Sequence, residues 1–227
     1  MFILPLIITG KCVASFGNMQ TMPPPYTEST PISRPGYYLT FFDSFTGNPD
    51  TLPSSNKWII DLGTSYPGGA ARWGNDEYET YTDSTANIHL TNASTLLITP
   101  LLSAAATWTS GRIETQRCDF AAGQGGKLYI EARIKLGGAP ASEQQGIWSA
   151  FWALGSSFRG NYTNWPMASE WDFMEVVNGL PTMYETLHCG YAPGGPCDEN
   201  DGIGSGGVCD GVMAYDWLRG GSEHGWS

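Results

Sequence analysis

Between Lys127 and Leu136 apolar and polar residues alternate without a break. Leu128, Ile130, Ala132, Ile134 and Leu136 fall on one side, and Lys127, Tyr129, Glu131, Arg133 and Lys135 on the other. A period of two is the mark of a strand with one buried face, so this segment is predicted as a half-buried antiparallel strand. Gly146 to Gly155, GIWSAFWALG, is apolar on both faces and bounded by glycines, which predicts a central strand of a sandwich. Thr182 to Cys189 alternates again and puts Tyr184, Thr186 and His188 on one face. Upstream, Tyr38–Asp43, Lys57–Ile60, Asn87–Thr91 and Thr95–Thr99 read as short strands separated by Gly, Pro and Asn. Helical periodicity is absent. Many short strands with Gly/Pro turns predict an all-β jelly-roll sandwich of two antiparallel sheets.

One segment breaks the alternation where chemistry enters. Asn164 to Gly179, NWPMASEWDFMEVVNG, packs Glu170, Asp172 and Glu175 among Trp171, Phe173, Met174, Val176 and Val177. Carboxylates amid residues that need burial are paired or working. On a regular strand Glu170 and Asp172 share a face and Glu175 falls on the other. A β-bulge between Asp172 and Glu175 returns the third acid to the side of the first two, and bulges are frequent beside active sites. Glu170 and Glu175 are then four strand steps apart, about 13 Å between Cα atoms. Side chains leaning together shorten that toward the roughly 5 Å carboxyl separation of retaining glycosidases.

The run E170-W-D-F-M-E175 resembles the signature of glycoside hydrolase family 16, and the resemblance extends from about Trp73 to Ile203. Trp171 stands where that family has an aliphatic residue, and Ala168-Ser169 where a Gly commonly precedes the first Glu. The resemblance implies a secreted retaining endo-β-glucanase acting on β-1,3 or mixed-linkage β-1,3(1,4) glucans. Glu170 would be the nucleophile, Asp172 its supporting carboxyl and Glu175 the general acid/base. A transglycosylase, or a non-catalytic glucan-binding lectin or inactive fragment on the same sandwich, is the alternative.

The same resemblance brings in the substrate-binding candidates. Trp73–Tyr81 is similar to the family's Trp-Asn-x-Glu cleft wall, with Asn75 offered to sugar hydroxyls; Glu77 and Glu79 are read as loop-capping or solvated. Ser110–Gln116 matches a family strand, on which Arg112 reaches either a sugar or a surface ion-pair partner. Trp148 and Trp152 are stacking or core residues. Trp165 is the better stacking candidate, at the mouth of the acidic strand, and His188 corresponds to a His that contacts substrate near the nucleophile.

Composition narrows the partners. The 227 residues carry 22 acidic against 11 basic side chains, a formal charge of −11, which disfavours nucleic acid and anionic lipid and suits a neutral polysaccharide. Charged residues make up only 15% and aromatics 13% of a chain long enough for one domain. No HExxH, paired CxxC, phosphate loop or dinucleotide fingerprint is present, so no cofactor or catalytic metal is expected, a structural Ca²⁺ aside. The partner expected is β-glucan, bound by a monomer.

The first residues, with an apolar run from Phe2 to Ile8 and small residues around Ala14, predict a signal peptide over 1–17, and the run is too short for a membrane anchor. A Pro-rich linker (18–36) and the catalytic domain (37–203) follow. Past Gly204 no alternation is legible, and 204–227 is expected to be an unplaced, out-of-frame tail of an incomplete sandwich. Loss of Cys12 with the leader leaves Cys118, Cys189, Cys197 and Cys209, and the intervening PGGP turn favours Cys189–Cys197 as one of two disulfides.

Overall fold

A computed structural model describes residues 2–3, 33, 35–208 and 218–225. The strands among them are β1 (Phe2–Ile3), β2 (Trp58–Ile60), β3 (Thr80–Tyr81), β4 (Ile88–Leu90), β5 (Leu96–Ile98), β6 (Leu101–Leu102) and β7 (Trp108–Ser110). They continue with β8 (Ile113–Thr115), β9 (Lys127–Ile134), β10 (Trp148–Leu154), β11 (Glu170–Val177), β12 (Thr182–His188), β13 (Ile203–Val208) and β14 (Leu218–Gly225). The only helices among the described residues are three single 3₁₀ turns. The fold is the predicted all-β jelly roll.

The largest sheet runs β1-β10-β11-β12-β13, antiparallel except for the two-residue β1. Its apolar face buries Phe151, Phe173, Met174 and Val176 against Ala132 and Ile134 of β9, with Ile130 and Leu136 packed alongside. Those β9 residues are the ones that period-two patterning assigned to the core. Burial of an aromatic or large aliphatic side chain is worth about 1.5–3 kcal/mol, so this cluster fixes which face of β11 turns inward. A second cluster joins Phe45, Trp58, Ile88, Leu90 and Ile113.

Three expectations are corrected. Tyr38–Asp43 forms no strand: Phe41 packs edge-on against Trp58, while Tyr38 and Leu39 face solvent. Ser110–Gln116 is interrupted between β7 and β8 at Gly111 and Arg112, where a Cβ on Gly111 would press on Ile88. Past Gly204, where alternation is illegible, the backbone pairs all the same: Ile203–Val208 lies antiparallel to β12 and Leu218–Gly225 to β9. Ladder hydrogen bonds need no side chains, so a glycine-rich strand such as GSGGV leaves no periodic trace.

Cys189 and Cys197 form the expected disulfide, and Cys118 is exposed and free. Cys12, Cys209 and the leader and linker stretches, apart from Phe2–Ile3, Ser33, Pro35 and Gly36, lie outside the described residues.

Candidate active site

Ladder register shows how β11 presents its acids. Against β12, Glu170 faces His188, Asp172 faces Thr186 and Glu175 faces Tyr184. Three residue steps on β11 therefore span two on β12, which is the predicted bulge. On the other side Glu170 pairs with Leu154, Asp172 with Trp152 and Glu175 with Ala150, and the register shifts at the same level. Phe173 and Met174 are both buried, at 3% and 1% exposure, so the extra residue is absorbed on the core side. Glu170, Asp172 and Glu175 consequently line one face with Trp148, Trp152, Tyr184, Thr186 and His188.

Burial is the leading influence on all three acids and raises each pKa. Asp172 is pushed up furthest, because Glu170, Glu175 and Glu199 surround it and it is hydrogen-bonded to Glu170. Two carboxyls in one hydrogen bond share a proton, and the many negative neighbours of the middle group favour its neutral form. Glu170 is also raised by burial, but His188 and Arg112 and a hydrogen bond from the Trp165 side chain favour its charged form. Glu175 is raised by burial against the pull of a 2.9 Å hydrogen bond from the Trp148 indole N–H.

Trp165 sits at the mouth of the trough, 37% exposed, with its ring 5.4 Å from the His188 ring. The loop that carries it is pinned at both ends: the Gly155 N–H donates to the Ser169 carbonyl at 2.8 Å, and a Cβ on Gly155 would collide with the Ala168 carbonyl. His188 is 14% exposed; its Nε2 lies 3.5 Å from Asp172 Oδ2 and its Nδ1 donates to Glu199 Oε2 at 2.8 Å. Glu170, Asp172 and His188 bring ligand atoms within 4.8 Å of one another, the grouping among the described residues able to hold a metal ion.

Arg112 is buried, not a surface ion-pair residue. It is 4% exposed, pairs through Nε with Asp61 Oδ2 at 3.0 Å, and is wrapped by Tyr66, Trp73, Tyr81 and Trp152 at 4.3–5.9 Å from the ring centroids. Its charge favours the ionised form of Glu170. Asn75 is exposed on the neighbouring loop, with its amide 3.3 Å from Glu77. Glu77 and Glu79 are not solvated: both are buried against the Tyr81 hydroxyl, at 2.6 and 3.0 Å. Sequence reading passed over Asp61, 51 residues from its partner Arg112, over the Tyr81 hydroxyl, and over Glu199, 27 residues from Asp172. The sole sequence signal for Glu199 is its place two residues after Cys197 of the disulfide.

No model of a protein family matches the chain. It is 27% identical over 166 residues to glucan endo-1,3-beta-glucosidase A1 of Niallia circulans, an alignment covering 68% of this chain and 22% of that relative, so the chain spans under a quarter of the curated relative's length. Among solved structures it resembles the endo-beta-1,3-glucanase of Pyrococcus furiosus, at 28% identity and a TM-score of 0.60, over 81% of this chain and 66% of that one. It also resembles the endo-1,3-beta-glucanase of Streptomyces sioyaensis at 44% identity and a TM-score of 0.82, over 86% of this chain and 70% of that one. With that identity across most of both sequences, and with three acids set on one face by a bulged strand, the chain belongs to glycoside hydrolase family 16.

Proposed function

We propose that this protein is a secreted endo-β-1,3-glucanase that cleaves its substrate by retaining double displacement. The observation that carries the reading is the bulge at Phe173-Met174, which turns Glu170, Asp172 and Glu175 toward one trough; the likeness to two endo-1,3-β-glucanases supports the linkage. Export is supported by the Cys189–Cys197 disulfide and by the leader-like first residues.

Glu170 attacks the anomeric carbon. Burial is the larger influence on Glu170 and raises its pKa to about 7, while the Trp165 N–H, the charge of Arg112 and the proton of Asp172 favour its charged form against that burial. Glu175, kept protonated by burial, donates to the departing glycosidic oxygen and later takes a proton from the water that releases the glycosyl-enzyme. Trp165 and His188 contact the sugar beside Glu170, the Trp148 ring flanks the sugar on the Glu175 side, and Asn75 meets hydroxyls at the cleft wall. Arg112 acts through Glu170 and touches no sugar.

Laminarin, curdlan and lichenan, each followed by reducing-end release, test the reading. Internal cleavage of the β-1,3 polymers is expected, with the β-anomer appearing first by ¹H NMR, and lichenan turnover decides whether mixed linkages are accepted. Glu175→Gln should lower kcat on laminarin by about a thousandfold, and Glu170→Gln by more. Glucan binding with equal, negligible turnover in all three proteins would assign a lectin instead, and lengthened products would assign a transglycosylase.

A further inference from the structure

The loop after β12 returns over His188, and its contacts give it a task. Glu199 has a fully buried side chain, and both of its oxygens are used. Oε2 accepts from His188 Nδ1 at 2.8 Å, and Oε1 accepts the backbone N–H of Cys189, the next residue, at 2.7 Å. One carboxylate thus grips the imidazole and the backbone beneath it. From the same loop Gly202, at φ +76°, passes so close that a Cβ there would lie 2.8 Å from His188 Nδ1 and Cε1. The Cys189–Cys197 disulfide ties the loop's first residue to one two places before Glu199.

A carboxylate on Nδ1 settles which nitrogen carries the proton and leaves Nε2 directed at the opposite partner. Here that partner is Asp172, at 3.5 Å from Nε2. Asp172 in turn is hydrogen-bonded to Glu170. The groups form one chain: Glu199, His188, Asp172, Glu170.

We propose that Glu199 is a positioning residue that acts through His188: it holds the imidazole in one orientation beside the acidic strand, with Nε2 toward Asp172. The proposal rests on the glucanase reading for its kinetic consequence and on geometry alone for its spectroscopic one. The charges around His188 are Glu170, Asp172 and Glu175 on β11 and Glu199 on the loop, with the Trp165 ring beside the imidazole and Arg112 acting on Glu170. Glu199 is the member that sugar does not need to touch. It sits at the back of the ring, where its effect is on orientation and proton placement.

The test uses the full chain as Glu199→Gln, His188→Gln and the double variant. Glu199→Gln keeps the shape and an acceptor oxygen but loses the charge. Expected are a kcat on laminarin lower by about tenfold, a KM within about twofold, a displaced acid limb of the kcat/KM pH profile, and partial recovery in Glu199→Asp. In the double variant the Glu199 change should cost almost nothing beyond His188→Gln, since groups acting as one unit are not additive. Independently of turnover, ¹⁵N-edited NMR of the three histidines, with His188 assigned from His188→Gln, should show the Nδ1–H signal of His188 lost or moved in Glu199→Gln.

If wild-type protein is inactive on every glucan but the His188 signal responds, the positioning stands and the glucanase reading falls. A Glu199→Gln protein that melts earlier but keeps kcat, pH profile and His188 signal overturns the proposal. So does full additivity in the double variant.

Discussion

Trp148 donates its indole N–H to Oε1 of Glu175 at 2.9 Å from the neighbouring strand of the same sheet. That bond favours the anion, and burial favours the acid, with burial the larger influence. Trp148→Phe keeps the ring and removes the donor, so the Glu175 pKa should climb further. The alkaline limb of kcat/KM, which reports loss of the acid's proton, is expected to move to higher pH, measured on laminarin across pH 4–9. An unmoved limb would mean that Glu175 is not the acid.

Stability should fall as pH rises. Asp61 is pushed up to about 6, chiefly by burial, and Glu77, Glu170, Asp172 and Glu175 are raised for the same first reason. Each binds its proton more tightly folded than unfolded. Between the ordinary carboxylate range near 4 and the raised values, the folded state therefore holds more protons, and every upward step in pH favours unfolding. Asp172→Asn removes the most strongly raised of these groups. It should abolish most turnover yet raise Tm, and by more at pH 8 than at pH 5. Calorimetry at the two pH values checks this, and an equal shift at both would contradict the assigned proton.

Ser169, immediately before Glu170, has φ +63°, the left-handed region that costs a side-chain-bearing residue about 1–2 kcal/mol. The family's usual Gly before the first Glu has a physical reason here. Ser169→Gly should stabilise by about 1 kcal/mol, less the entropy Gly adds to the unfolded chain. Urea unfolding will show a higher midpoint at unchanged slope, and a lower one would contradict the strain.

Arg112→Met leaves Asp61 as an unpaired charge in the aromatic enclosure, a change expected to cost about 3–5 kcal/mol. Asp61→Asn in the same chain should recover most of it. Glu170 also loses a favourable charge in Arg112→Met, so the acid limb of kcat/KM should move up, a shift the double variant would keep.

Much of the sheet could be read from the chain because its cues are local. Alternation located β9 and β12, glycine-bounded apolarity located β10, and counting three acids against a two-residue period located the bulge. The Cys189–Cys197 pairing followed from the turn between the two residues, whereas Trp165 and His188 were singled out with the help of the family resemblance. What escaped is held by distance. Asp61 meets Arg112 across 51 residues, and whether an arginine faces water or a cage of four rings is decided by loops that no periodicity describes. Glu77 and Glu79 are a different case: their partner Tyr81 is only four and two residues away, but periodicity does not show which side chains of a loop turn inward. Tyr38–Asp43 has the composition of a strand, but no strand among the described residues pairs with it.

The two consecutive buried residues at Phe173-Met174 make the spacing of the acids a matter of arithmetic in the gene. Deleting a single codon there would remove the extra residue and the bulge together, and on the regular strand that remains the three acids would still share one face. An exchange that keeps the bulge but puts a charge at Phe173 or Met174 is the graver lesion, because both side chains are buried on the core side, where an unpaired charge finds no partner.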